Sequence, residues 1–385
     1  MATTENLAVI AGDFAENSIS KRIVARHEAP KLTGNPKQGV WYRIPLPGGL
    51  SGDGSSYHTY IKSAKSDNLC IFFSGGGVAW DENMAAAPVT GGRVAAGQPN
   101  YYWNNLRTFT QIMNINIGIT ETGKKRNPFN TWNFIVITYS TGDFHLGKSS
   151  VAFTNSEGQK ELLYFHGYQN FIEAMKQAIT FFPHPKKLLI AGDSAGAFAA
   201  PALTGDIIDH FYPDCRNITV FSDSSLLEKD DWLHTLRDVW KAEEHIYAPI
   251  HSSNPTCDWF ENLVSRYGKD LKYLYASSVR DYLLSTFLND IETGEFTTDE
   301  SAQEEFFKQN KRMYERLCQL PAPINFFYND FTHPILTKGR GTVHTSVRQP
   351  FFYYKSASGI TMSKWLSDAI NGKPYDIGSE LLHNR

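Results

Sequence analysis

The chain has 385 residues, 41% of them hydrophobic and 20% charged, an ordinary globular composition long enough to bury a sizeable core. A net charge of −3, with basic residues clustered only as Lys124-Lys125-Arg126 and Lys186-Lys187, argues against a nucleic-acid partner. Four widely spaced cysteines (Cys70, Cys215, Cys257 and Cys318) contain no CxxC pair, which argues against a zinc site, a redox motif or a disulfide framework.

Residues 1–37 are polar and mixed and read as an N-terminal extension; 38–385 read as a single domain. The first residues lack a basic region before their short apolar stretch, unlike a signal peptide. No run approaches a membrane span. With the few cysteines, this favours a cytoplasmic setting, or a secreted one if a leader has been removed.

Gly39 to Pro45 and Tyr57 to Lys62 alternate apolar and polar residues, as antiparallel strands do. Five continuous apolar runs follow, each ending in Gly, Ser, Asn or Asp. They are Leu69-Cys70-Ile71-Phe72-Phe73, Phe134-Ile135-Val136-Ile137-Thr138-Tyr139, Lys187-Leu188-Leu189-Ile190-Ala191, Ile218-Thr219-Val220-Phe221 and Ile324-Asn325-Phe326-Phe327-Tyr328. Such runs are the mark of strands buried on both faces. Helical patterns cover 164–180, 197–210 and 301–320. The alternation predicts an α/β fold of α/β-hydrolase type: a mainly parallel central sheet, helices on both faces, and insertions near 80–128 and 228–270 over the active face. Ligands then bind at the carboxyl ends of the strands. No GxGxxG follows a strand and no P-loop exists, which argues against nucleotide binding. The 25 Phe, 19 Tyr and 8 Trp serve either a large core or a cleft for sugar faces and acyl chains.

Gly192-Asp193-Ser194-Ala195-Gly196 fits G-x-S-x-G between a strand and an Ala-rich helix. That context demands a sharp turn that projects the serine hydroxyl from the sheet. Ser194 is the expected nucleophile. A serine needs a base and donors for the developing oxyanion. Ser74-Gly75-Gly76-Gly77-Val78 follows the first buried strand, so the N–H groups of Gly77 or Val78, with that of Ala195, are the expected oxyanion hole. Gly76 and Trp80 are the expected substrate contacts. The base should be a late histidine: His333, after the last strand, comes first and His344 second. Asp281 and Asp223, each following a strand-like run, are equal candidates for the acid.

Several segments resemble the pectin acetylesterase / Notum family: Phe73-Ser74-Gly75-Gly76-Gly77 with Trp80, Tyr139 to Gly147, Gly192 to Ala197, Ser222-Asp223-Ser224, Asp281 in its setting, His333-Pro334-Ile335-Leu336, and Trp365-Leu366 with Gly372. The resemblance implies a metal-free and cofactor-free carboxylesterase with nucleophile Ser194, acid Asp281 and base His333. It makes Asp143, His145 and Asp223 architectural. Relatives often carry cysteine where this chain has Ala79 and Ser140, in keeping with its few cysteines.

The expected activity is release of a short acyl group, acetate, from a small-molecule or polysaccharide ester such as acetylated pectin. The alternatives are a longer-chain lipid or protein deacylase, and a catalytically silent binding protein on the same scaffold.

Overall fold

Alternation along the central strands sorts their side chains between two cores. The computed structural model describes residues 28–155, 157–334, 337 and 341–383. Its main sheet comprises β1 (Trp41–Leu50), β2 (Ser56–Lys62), β3 (Asn68–Phe73), β4 (Asn133–Ile137), β7 (Lys187–Asp193), β8 (Ile218–Asp223), β9 (Leu271–Ser278) and β10 (Ile324–Asn329), while β5 (Ser149–Thr154) and β6 (Lys160–Phe165) form a separate antiparallel hairpin. The eight-stranded order is β1-β2-β4-β3-β7-β8-β9-β10. The first two pairings are antiparallel and the other five parallel.

Leu69, Ile71 and Phe73 of β3, with Leu188 and Ile190 of β7, enter one core beneath α1 (Gly167–Phe181), α2 (Ala195–Asp206), α3 (Pro255–Tyr267), α4 (Tyr282–Thr293) and α5 (Glu300–Leu317). Cys70 and Phe72, with Leu189 and Ala191, enter the other, covered by α6 (Met362–Ile370) through Trp365 and Leu366 and by Phe129, Trp132 and Phe352. Each of these Leu, Ile and Phe side chains contributes about 1.5–3 kcal/mol of burial, which fixes the register of the central strands. The fold is thus α/β, as the alternation predicts.

Both outer strands are covered. Pro30 and Leu32 pair with Arg43 of β1, and Ile377 pairs with Phe326 and Tyr328 of β10. Residues 1–27 of the expected extension lie outside the described residues. The segment 228–270 contains α3, which starts with Asn254 accepting from the Cys257 N–H and Pro255 in its first turn. The segment 80–128 carries short helices at Glu82–Ala85, Gly91–Ala96 and Thr108–Asn114. Sequence reading missed the β5–β6 hairpin, whose strands are mostly solvent-facing, and α4. All four cysteines are free.

Candidate active site

Ser194 joins β7 to α2 at φ 52°, ψ −126°, a conformation that costs a non-glycine residue energy. The neighbours permit it. A side chain on Gly192 would strike the Gly196 carbonyl, and one on Gly196 would strike that of Phe73. The Ser194 N–H is held by the Asp223 carbonyl at 2.9 Å. Ala195 opens α2, so its N–H is among the helix's unpaired N-terminal donors.

The glycine loop lies against this turn. A Cβ on Gly75 would sit 2.6 Å from the Ser194 Cβ. Gly75 donates its N–H to Asp193 Oδ1 at 2.9 Å. The Val78 N–H, expected in the oxyanion hole, is donated to the Tyr101 carbonyl at 3.0 Å. That bond occupies it, so Val78 is not a free donor. The cause is a bridge between Gly77 and Tyr102 that also sends the Trp103 N–H to the Gly76 carbonyl. The Gly76 and Gly77 N–H groups donate no hydrogen bond among the described residues. Gly77 has φ 81°, and a side chain there would strike the Tyr101 carbonyl.

Asp281 is fully buried at the start of α4. Its Oδ1 accepts from the N–H groups of Leu283 and Leu284 at 2.9 and 3.0 Å, and its Oδ2 meets His344 Nδ1 at 2.7 Å. His344, and not the expected His333, is therefore the histidine that Asp281 meets. The reason is tertiary: Thr342 pairs with the backbone around Asp281, giving its carbonyl to the Tyr282 N–H and its N–H to the Arg280 carbonyl. Ser346 and Val347 then donate to Asp223 Oδ2, both at 2.7 Å. Between these anchors Thr345 adopts φ 58°. His333 instead packs edge-on against Phe351.

The His344 side chain is 11% exposed, and its Nε2 has no hydrogen-bond partner among the described residues. Burial pulls its pKa down, but the charge and hydrogen bond of Asp281 and the charges of Asp193 and Asp223 outweigh this and raise it above 6.5. Asp223, desolvated by burial, is itself raised to about 6 despite its two N–H donors.

Sequence reading also missed Arg348. It is buried against Asp193, with Nε 3.0 Å and Nη2 2.9 Å from Oδ2, and its Nη1 reaches the Ser74 hydroxyl. One side chain thus joins the histidine loop, the nucleophile turn and the glycine loop. The motif Tyr139 to Gly147 braces the same loop. Asp143 accepts from the Thr141 hydroxyl and from the N–H groups of His145, Gly147 and Gly167. His145 Nε2 lies 2.9 Å from the Ser74 carbonyl, and burial lowers its pKa to about 4, so this ring is neutral and donates there.

The pectinacetylesterase family model matches residues 47–239, just over half of the chain, a span that carries the glycine loop, the Asp143 motif and Ser194. The chain belongs to the pectinacetylesterase family. No curated protein matches it. Membership supports carboxylic ester hydrolysis as its chemistry.

A small cavity of about 20 Å³ adjoins Ser194, lined by Gly77, Val78, Phe144, Phe198, Leu227 and Phe287 among others. Phe144 and Phe198 stack with ring centroids 4.1 Å apart. Behind them Trp232 and Trp240 are buried core, so these aromatics serve packing. Trp80 packs edge-on against Trp232 at 5.7 Å, with the Lys229 ammonium 5.3 Å from its ring. A larger cavity of about 690 Å³ opens beside Ile218 and Leu271, at the amino ends of β8 and β9, the wrong end of a parallel sheet for the reaction centre. His251, Asp258 and Glu261 cluster as metal ligands could, but the Arg316 guanidinium already occupies them, 2.6 Å from both carboxylates. No helix among the described residues is long and apolar enough to cross a membrane.

Proposed function

We propose that the chain is a serine carboxylesterase that releases acetate from an O-acetylated carbohydrate, with Ser194, His344 and Asp281 as its triad. The observation that carries this reading is the Asp281–His344 pair, which leaves His344 Nε2 unpartnered among the described residues on a loop tied through Asp223 to the Ser194 backbone. Asp281 fixes the histidine tautomer and stabilises its cation. Nε2 takes the Ser194 hydroxyl proton as Oγ adds to the ester carbonyl. The free N–H groups of Gly76 or Gly77, with that of Ala195, hold the oxyanion. Collapse expels the alcohol, which receives the proton from His344. Water, deprotonated by the same nitrogen, then attacks the acyl-serine, and acetate leaves as Ser194 recovers its proton.

The cavity beside Ser194 supports a short acyl group: about 20 Å³ admits a methyl, and the Phe144–Phe198 stack closes the space behind it. Its apolar lining is what favours the second reading, a longer-chain deacylase. The test is turnover of an aryl acetate and labelling by a fluorophosphonate. Both are expected to vanish in Ser194→Ala; retained turnover sinks the proposal, and a wild-type protein that never labels revives the silent-scaffold alternative. A chain-length series from acetate to octanoate separates the two esterase readings.

A further inference from the structure

The segment from Tyr101 to Asn104 has two flanks. One bonds the glycine loop through Tyr101 and Trp103. Beyond the other, the Asn104 carbonyl accepts from the Asp53 N–H at 2.9 Å, and Asn105 Nδ2 donates to Asp53 Oδ2 at 2.8 Å. There a cavity of about 530 Å³ opens between the turn at Gly52 and the β5–β6 hairpin. Its walls include Asp53, Asn104, Phe153, Lys160, Glu161 and Tyr164. The catalytic proposal uses none of them. The cavity belongs to the reactive end of the sheet, because the Gly52 N–H bonds the Ser140 carbonyl just past the end of β4.

Resting on the ester site argued above, we propose that this cavity is a distal glycan subsite, which holds an uncharged sugar of the chain whose acetyl ester is attacked at Ser194. The volume falls within the range of small-molecule sites. The half-buried Tyr164 ring offers a face for a pyranose, while Asp53 and Glu161 offer carboxylate acceptors for its hydroxyls. Two carboxylates against one ammonium, Lys160, disfavour a uronate. Contact from Ser194 to the cavity is continuous: Gly75 touches Ser194, Gly76 touches the Trp103 ring, and Asn104 follows. A glycan laid across Trp103 occupies both ends, and its remote contacts lower the barrier at the ester.

The test uses the full chain and two variants: Tyr164→Ala removes the ring, and Ala152→Trp fills the cavity from an exposed strand position. The ratio of kcat/KM on an acetylated neutral oligosaccharide to that on an aryl acetate is expected to fall about fivefold or more in each, through KM. By calorimetry, a deacetylated neutral tetrasaccharide binds wild type more tightly than a tetragalacturonide does, and binds both variants more weakly. An unchanged ratio in both variants, or tighter binding of the tetragalacturonide, overturns the proposal. Binding of deacetylated glycan does not need Ser194, so a failure of the ester reading appears separately, as aryl acetate turnover that survives Ser194→Ala.

Discussion

Asp281 and His344 stand 63 positions apart in the chain, yet share a hydrogen bond of 2.7 Å. The other Asp281 oxygen is taken by two N–H groups at the start of α4, so the carboxylate can turn neither away from the ring nor toward water. A rigid helix terminus therefore sets the orientation of a histidine carried on an irregular loop.

The first prediction separates the two histidines. His344→Ala is expected to lower kcat on an aryl acetate by about 10⁴-fold or more, the scale on which triad members act. His333→Ala changes it by no more than about threefold, because the histidine that Asp281 bonds is His344. Steady-state kinetics on both proteins decide it, and the reverse order restores His333 as the base.

The second concerns pH. Only neutral His344 accepts a proton, and its pKa is raised above 6.5 in the fold, so activity should climb with pH through a midpoint above that value. Asp281→Asn keeps a side-chain acceptor for α4 but removes the charge. The midpoint then moves down and kcat drops by about 10⁴-fold as the tautomer is lost. The linked stability has the opposite sense: the raised His344 pKa contributes stability fully present below pH 6.5 and lost as pH rises through the folded value. Denaturation of wild type and Asp281→Asn across pH 5 to 9 reads it.

A third prediction tests Arg348. Arg348→Met leaves Asp193 charged, buried and unpaired by its cation, at a cost of about 3–5 kcal/mol. The double variant Asp193→Asn/Arg348→Met should recover part of that loss. Urea unfolding of the three proteins checks this; equal stability of the single and double variants would show that the pair is not coupled.

The fourth concerns acyl length. Phe198→Ala removes half of the stack behind the Ser194 cavity, so the ratio of hexanoate to acetate turnover should rise about tenfold, as one to two methylenes' worth of burial becomes available. If acetate and hexanoate respond alike, Phe198 does not bound the acyl pocket.

The strand–turn–helix that holds Ser194, the central strands and their mainly parallel arrangement were legible in the sequence because they rest on local chemistry. An apolar run, a turn that only small residues permit and a helix start lie within a dozen consecutive residues. The loop that carries His344 has no such signature. It is defined by Thr342 pairing beside Asp281 and by two N–H groups reaching Asp223, contacts that exist only once β8, β9 and β10 lie side by side. Val78 is the same case at smaller scale. The glycines announced a loop with N–H groups to offer, but a bridge to Tyr102, about 25 residues on, decided which were already occupied. The sequence by itself determined the fold class, the turn that carries Ser194 and the glycine loop beside it. The tertiary structure alone decided which histidine meets Asp281 and which amides stay free, because a hydrogen-bond partner distant in the chain is chosen by packing and leaves no local pattern to read.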